Sequence, residues 1–147
     1  MAPTQRPDCY GNYRFMVEIE GIVNTGFAEA IIPESVSDVI EYREGNEQLW
    51  TRKFPGLVKY GNLILKCEVT SSLVLFKWRR MVEQGNMKAA RKNMAIMLID
   101  EDGNPVARWE FSEAWPCKYK APDMNAKGNE VAIETFEIAF ENMNRTM

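Results

Sequence analysis

The residues of this chain that could bind a metal ion cluster in one acidic segment, Asp100-Glu101-Asp102-Gly103-Asn104. Carboxylate and amide oxygens are the ligands that calcium prefers, so the segment superficially resembles a calcium loop. In an EF-hand, however, glycine is the sixth residue, whereas Gly103 is only the fourth counted from Asp100. Asp, Gly and Asn also favour tight turns, and strand-like segments flank this one. The segment therefore predicts a hairpin turn, and we expect no metal site.

Catalytic side chains are scarce in the sequence. Histidine is absent from all 147 residues, which excludes Ser-His-Asp and Cys-His catalysis and any His-ligated metal. The three cysteines, Cys9, Cys67 and Cys117, are odd in number and far apart, which is typical of free thiols in a reducing compartment. The glutamate pairs on strand-like segments have no matching nucleophile. We therefore expect no enzyme activity, no catalytic residue and no cofactor.

The four tryptophans could form a ligand-binding cage, but they fall on separate elements. This spacing favours burial in the core, with anchoring of an interface as the alternative. A group of basic residues favours a solvated helix face plus a loop, with a charged subunit contact as the main alternative and nucleic-acid binding as a minor one. The tryptophans are Trp50, Trp78, Trp109 and Trp115, and the basic residues are Lys77, Arg79, Arg80, Lys88, Arg91 and Lys92.

Length, charge and hydropathy restrict the class of protein further. A chain of 147 residues forms one domain, and we expect a flexible lead-in over residues 1–11 and a single domain over 12–147. The net charge of -3 argues against duplex DNA binding as the main role. No apolar run reaches eighteen residues and no signal-peptide core follows the first methionine. We expect synthesis in the cytoplasm without membrane insertion.

Hydrophobic periodicity predicts a mainly β protein with a single helix. Residues 12–20 alternate, with Tyr13, Phe15, Val17 and Ile19 on one face. At about 72–84 the period changes to that of an amphipathic helix, which Thr70, Ser71 or Ser72 could cap and Gly85 could end. Further strands are predicted over 27–32, 94–99, 106–111, 114–120 (starting at a corner near Pro116) and 130–141, with a loop over 34–38, a turn over 100–105 and a loop over 122–129.

This order of elements predicts a fold of two packed antiparallel sheets, a β-sandwich or barrel with one flanking α-helix. The pattern of the last strand, 130–141, is unusual because apolar residues occupy both of its faces. Such a strand is buried on two sides or contains a bulge that exchanges its faces.

The stretch from Val39 to Lys66 lies between the first predicted strands and the predicted helix. It is predicted to form a strand, a turn over 44–47, a second strand over 49–54, a corner at Pro55-Gly56 and a third strand. Charges of both signs occur along it without a catalytic pattern. We interpret it as a part that contacts other parts.

Several segments in order resemble the tail tube protein family of contractile phages and phage-tail-like contractile injection systems. The family is distantly similar to the tube protein of type VI secretion. The resemblance extends from about Tyr10 to Asn142. The matching segments are Tyr13-Arg14-Phe15-x-Val17-Glu18-Ile19-x-Gly21, Gly26-Phe27-x-Glu29, Val39-Ile40-Glu41-Tyr42-Arg43-Glu44-Gly45, Arg52-Lys53-x-Pro55-Gly56-Leu57-x-Lys59-Tyr60-Gly61-Asn62-x-x-Leu65-Lys66, Trp78-Arg79, Asp102-Gly103-Asn104, Val106-Ala107-Arg108-Trp109, Ala114-Trp115-Pro116, Pro122-Asp123-x-Asn125-Ala126 and Asn129-Glu130-Val131-Ala132-Ile133-Glu134-Thr135.

The resemblance implies a structural role. Six copies would form a ring, and stacked rings would form a hollow tube inside a contractile sheath. The tube would be a conduit and puncturing device that delivers effector protein or DNA. The implied partners are further copies of the chain, the sheath protein, the baseplate or spike, the tube terminator and a cargo in the lumen. The protein would be found in an assembled phage tail or injection particle.

Two alternatives stay open at this point. The chain could form a baseplate ring that initiates a tube, or a secreted ring that carries effectors. A small enzyme or ligand-binding barrel is a less favoured third class, because the sequence has no histidine and no nucleophile constellation. For the subunit or ring interface we predict charged and aromatic residues of the 39–66 stretch, namely Glu41, Tyr42, Arg43, Glu44, Arg52, Lys53, Lys59 and Tyr60.

Overall fold

A computed structural model describes residues 14–22, 26–43, 45, 49–128 and 130–147. Cys9, Tyr13 and Glu44 lie outside this range. In the described part the chain forms nine strands and two helices: β1 Phe15–Ile19, β2 Phe27–Ile31, β3 Ser35–Tyr42, β4 Arg52–Tyr60, β5 Leu63–Glu68, α1 Val74–Glu83, α2 Met87–Ala90, β6 Lys92–Ile99, β7 Pro105–Lys120, β8 Ile133–Ala139 and β9 Asn142–Arg145.

Two antiparallel sheets form the body of the molecule, as predicted. The first contains β1, β6, the first part of β7 and β9; the second contains the last part of β7, β8, β5 and β2. Strand β7 passes from one sheet to the other, pairing with β6 as far as Ala114 and with β8 from Trp115. Glu113, directly before Ala114, has a positive φ of 53°. This left-handed residue marks the bend that lets a single strand serve both sheets.

The core lies between the two sheets. The predicted inward face of β1 is confirmed, because Val17 and Ile19 are buried and Phe15 packs against the cluster. From the second sheet, Leu63, Leu65 and Phe136 complete the same cluster. Apolar residues that alternate along facing strands thus form one continuous core.

Helix α1 agrees with the predicted helix over 72–84 and packs on β7. Its Trp78 is fully buried, and the indole Nε1–H donates to the carbonyl of Ala90, 2.6 Å away. The predicted cap is wrong: Leu73 is the N-cap and no side chain caps the helix. Gly85, with a φ of 80°, follows the helix as predicted. The four-residue helix α2 was not predicted.

The hairpin of β6 and β7 confirms the predicted turn over 100–105. The Oδ1 atom of Asp100 accepts hydrogen bonds from the backbone N–H groups of Asp102 (3.0 Å) and Asn104 (2.8 Å). Gly103 has a φ of 85°. Asp100 therefore stabilises a turn. No group of three or more metal-ligating side chains occurs within the described ranges.

Four boundaries predicted from sequence are wrong. The expected loop over 34–38 belongs mostly to β3, because the partner strand β4 supplies its hydrogen bonds. Pro116 starts no new strand, since it is buried within the sixteen-residue β7. The last predicted strand, 130–141, is too long, because β8 covers only Ile133–Ala139 and β9 follows it at Asn142–Arg145. Pro55-Gly56 is no corner and lies inside β4.

Candidate interaction surface

Strands β3 and β4 form a two-stranded hairpin that pairs with neither sheet of the body. We call this hairpin the arm (residues 35–60). Every described residue of the arm is exposed except Gly56 and Tyr60, which are half-buried. Val39 is 64% exposed and Leu57 74% exposed. Apolar exposure of this extent in a strand pair is typical of a surface that another protein covers.

The arm forms because its strands have matching cross-strand neighbours. Ile40 lies opposite Phe54, and Val36 lies opposite Lys59. The rings of Tyr42 and Phe54 meet edge to face with their centroids 6.3 Å apart. β-Branched and aromatic pairs of this kind stabilise a hairpin by about 0.2–1 kcal/mol each. The ladder therefore accounts for the shape of the arm, while its exposed apolar area remains uncovered.

A bulge at Gly56 explains why Pro55-Gly56 is compatible with a strand. Between Ser37 and Val39 the chain advances two residues, whereas β4 advances three, from Val58 to Pro55. A Cβ atom at Gly56 would lie 3.1 Å from the Cβ and 3.2 Å from the carbonyl oxygen of Asp38. Glycine thus permits close approach of the two backbones at the extra residue.

The base of the arm is attached to the body by aromatic and polar contacts. The ring of Tyr60 lies 5.3 Å from that of Phe140, and its hydroxyl donates to Asn142 Oδ1 at 3.2 Å. Asn62 Nδ2, just beyond the arm, donates to Glu137 Oε1 at 3.2 Å. These contacts fix the direction of the arm at its base.

The predicted interface residues that the structure describes all lie in the arm or directly beyond β3. Glu41 pairs in register with Lys53, and Tyr42 with Arg52 on the opposite face. Arg43 is exposed after the end of β3. Lys59 forms an ion pair with Asp38 at 3.3 Å and Tyr60 contacts the body, so these two are partly occupied within the chain. Glu44 lies outside the described residues.

The most exposed apolar side chains of the arm were not among the predicted interface residues. Leu49 is 93% exposed and Trp50 68% exposed, so the interpretation of Trp50 as a core residue is wrong. Val39, Ile40 and Leu57 are also exposed. The signal in the sequence was the presence of apolar residues at adjacent positions, Val39-Ile40 and Leu57-Val58, which leaves neither face of the hairpin polar.

Polar side chains of the body form ion pairs and hydrogen bonds. Arg108 bridges Glu110 (Nε to Oε1, 2.9 Å) and Glu18 (Nη1 to Oε2, 3.2 Å). Its hydrogen bond to Glu110 is the main cause of a raised guanidinium pKa. In the predicted basic group, Arg79 and Arg80 both face Glu83, and Arg91 meets Glu141. These pairs compensate charge on the surface and form no catalytic constellation.

The described thiols are poor nucleophiles. Burial, with a smaller contribution from Glu134, raises the pKa of Cys67 to about 11. Burial also raises the pKa of Cys117, whose thiol donates to the carbonyl oxygen of Glu137 at 3.4 Å. Both thiols therefore remain protonated at neutral pH, and a thiol is much less reactive than a thiolate. In the described part of the chain no helix is long and apolar enough to cross a membrane.

Comparisons with known proteins agree with this architecture. The sequence model of the family described as T4-like virus tail tube protein gp19 matches residues 11–144. No curated protein sequence is significantly similar to the chain.

Solved structures provide a second comparison, which concerns the fold alone. A chain of the PVC sheath-tube complex, from an extracellular contractile injection system in the extended state, has a TM-score of 0.83 at 24% identity; the alignment covers 94% of this chain and 91% of that one. A chain of the anti-feeding prophage baseplate has a TM-score of 0.78 at 24% identity, covering 97% of both chains. Hcp1 from Flavobacterium johnsoniae is more distant, with a TM-score of 0.58 at 19% identity over 90% of this chain and 94% of that one.

Proposed function

The chain belongs to the T4-like virus tail tube protein gp19 family, and from this premise we propose that its copies assemble into stacked hexameric rings. The rings form the hollow inner tube of a contractile particle. The observation that carries this proposal is the arm, whose apolar strands project from an otherwise well-packed body. A structural protein needs surfaces that hold its copies together, and the arm is such a surface.

The proposed mechanism is self-assembly, followed by passive transport through the bore. Each copy offers a four-stranded sheet of β7, β8, β5 and β2. Six copies would supply about 24 strands, which at a spacing of ~4.8 Å and a tilt of ~40° enclose a circle roughly 48 Å across. After side chains are allowed for, a bore of about 40 Å would pass a DNA duplex or a small folded protein. Closure around the ring also removes exposed sheet edges.

The partners follow from assembly in a particle. We propose that the tube contacts a contractile sheath outside, a baseplate or spike at one end and a terminator at the other. Structural neighbours come from a sheath-tube complex, a baseplate and a sheath/tube terminator assembly, which supports this list. The cargo is an effector protein or DNA. The protein works in the assembled tail or injection particle and has no catalytic step of its own.

The interface proposal can be tested by charge reversal in the arm. Glu41→Lys combined with Glu44→Lys adds positive charge to a segment that already carries Arg43, Arg52 and Lys53, so copies should no longer associate. We expect a folded monomer by circular dichroism and ultracentrifugation, and no tubes by negative-stain electron microscopy. The matched control is Glu101→Lys with Asp102→Lys in the β6–β7 turn, which should still form tubes.

Electron microscopy of the unmodified protein separates the proposal from its alternative. Long hollow tubes support the tube protein. Isolated rings under all conditions favour a tube initiator or an effector-carrying ring. Monomers alone would argue against both, and unchanged tubes in the double reversal would remove the arm from the interface.

A further inference from the structure

A groove of about 320 Å³ lies between the start of α1 and the second sheet. Its inner wall contains Phe76 and Tyr119, whose ring centroids are 5.2 Å apart. Its rim includes the exposed apolar residues Val69 and Leu73. The full lining is Cys67, Glu68, Val69, Thr70, Ser72, Leu73, Leu75, Phe76, Tyr119 and Glu134.

Two carboxylates give the groove a negative charge. Glu134 accepts a hydrogen bond from the Tyr119 hydroxyl at 2.5 Å through Oε2. Glu68 is exposed at the edge. None of the ion pairs among the described residues involves Glu68 or Glu134. The groove therefore suits an apolar group that carries an N–H donor and has positive charge beside it.

The end of the arm has this chemistry. Leu49 and Trp50 are the exposed apolar residues there, and an indole combines an apolar ring with one N–H donor. Arg52 and Lys53 follow within three residues and supply positive charge. A volume of about 320 Å³ is at the lower end of ligand-sized pockets and accommodates one indole ring. Because Leu49 and Trp50 are exposed in the structure, they do not occupy the groove of their own chain.

We propose that Trp50 of one copy inserts into the groove at the start of α1 of a second copy. This inference rests on the proposed function and identifies the surface that receives the arm. The arm end and the groove are different surfaces of the same chain, so the contact is heterologous and can repeat from copy to copy. Tryptophan and arginine are enriched among interface hot spots, which lie in well-packed pockets from which water is excluded.

Photo-cross-linking tests the location of the contact. Trp50 is replaced by benzoylphenylalanine in the full chain, the assembled protein is irradiated, and the cross-linked peptides are identified by mass spectrometry. We expect links between two copies to peptides containing residues 67–76, 119 or 134. The same probe at Leu57, which is in the arm but away from its end, is the control and should give other products. Links elsewhere on the second copy, links within one chain, or no links in assembled tubes would overturn the inference.

Mutations on the groove side provide an independent readout. Leu73→Asp adds a charge to the rim at an exposed position, so the fold should be retained. We expect the concentration needed for assembly to rise about tenfold or more, as it should for Trp50→Ala. Val131→Asp, at another exposed apolar residue outside the groove and the arm, should leave assembly unchanged. The proposal would be contradicted if Leu73→Asp and Val131→Asp weakened assembly equally, or if Leu73→Asp assembled normally.

The two proposals fail in different ways. If the unmodified protein forms tubes but cross-links outside the groove, the groove is excluded and the tube function stands. If the unmodified protein forms neither rings nor tubes, the proposed function fails and this inference fails with it.

Discussion

Strands β1 and β3 have comparable apolar residues but opposite surroundings. In β1, Val17 is 1% exposed because the second sheet lies across from it. In β3, Val39 is 64% exposed because the arm pairs only with itself. A two-stranded ribbon has no second layer, and an isolated hairpin is at best marginally stable in water. The body buries its apolar residues within one chain, whereas those of the arm stay exposed in a single copy and are covered by a second copy only under the proposed function.

Under the proposed function, this difference separates residues that maintain the fold from residues that build the assembly. In the body, truncation should destabilise the monomer. In the arm, truncation should affect association. The following predictions test that division, in order of the expected change in the free energy of unfolding.

The largest effect is expected at Phe111, a fully buried ring of β7 that meets Phe140 with centroids 4.9 Å apart. Phe111→Ala removes the ring and leaves a cavity, which costs about 3–5 kcal/mol. Urea denaturation of the monomer should show this loss. A cost below about 1 kcal/mol would mean that the body is not the tightly packed region described above.

A smaller effect with a distinct pH dependence is expected at Tyr119. Its hydrogen bond to Glu134, together with burial, raises its pKa to about 12 from an ordinary value of 10. The stabilisation is complete below pH 10 and is lost as the pH rises towards 12, because the folded state holds the proton more strongly. Tyr119→Phe should cost about 1 kcal/mol at neutral pH and show a weaker loss of stability between pH 10 and 12.

Cys67 also titrates at high pH, since its pKa is raised to about 11. Its own titration contributes to both profiles, and its charge is also a minor cause of the raised pKa of Tyr119, so the difference reports Tyr119 together with this coupling. Identical pH profiles for the two proteins would show that the hydrogen bond contributes no stability to the fold.

The smallest effect on folding is expected in the arm. Val39→Ser should change the free energy of unfolding by at most about 0.5 kcal/mol, as is usual for an exposed position. The matched change Val17→Ser in the body should cost several times more, because it empties apolar volume and buries a hydroxyl. In electron micrographs we expect Val39→Ser to shorten or abolish tubes. If Val39→Ser and Val17→Ser lowered the free energy of unfolding equally, the proposed difference between body and arm would be wrong.

Sequence periodicity predicted most elements of the body but fewer of their boundaries. The inward face of β1, the helix over 72–84 and the Asp100 turn each depend on neighbours in the chain, and each is confirmed. The joined strand β7 could not be predicted, because Glu113 adopts its positive φ only where two sheets meet. The strand conformation of residues 35–38 could not be predicted either, because it depends on pairing with β4. Partner strands that are distant in sequence leave no local signal.

The sequence by itself determined the class of the protein, the alternating core faces and the absence of histidine chemistry. These follow from residue type and spacing, and the family resemblance depends on the same residues. Only the tertiary structure decided that Trp50 is exposed while Trp78 is buried, and that Pro55-Gly56 forms a bulge in an isolated hairpin. Burial depends on whether a second layer covers a strand, which the sequence of the strand does not specify. The arm was expected as a contact, but its apolar character became evident only when its strands proved to have no layer above them.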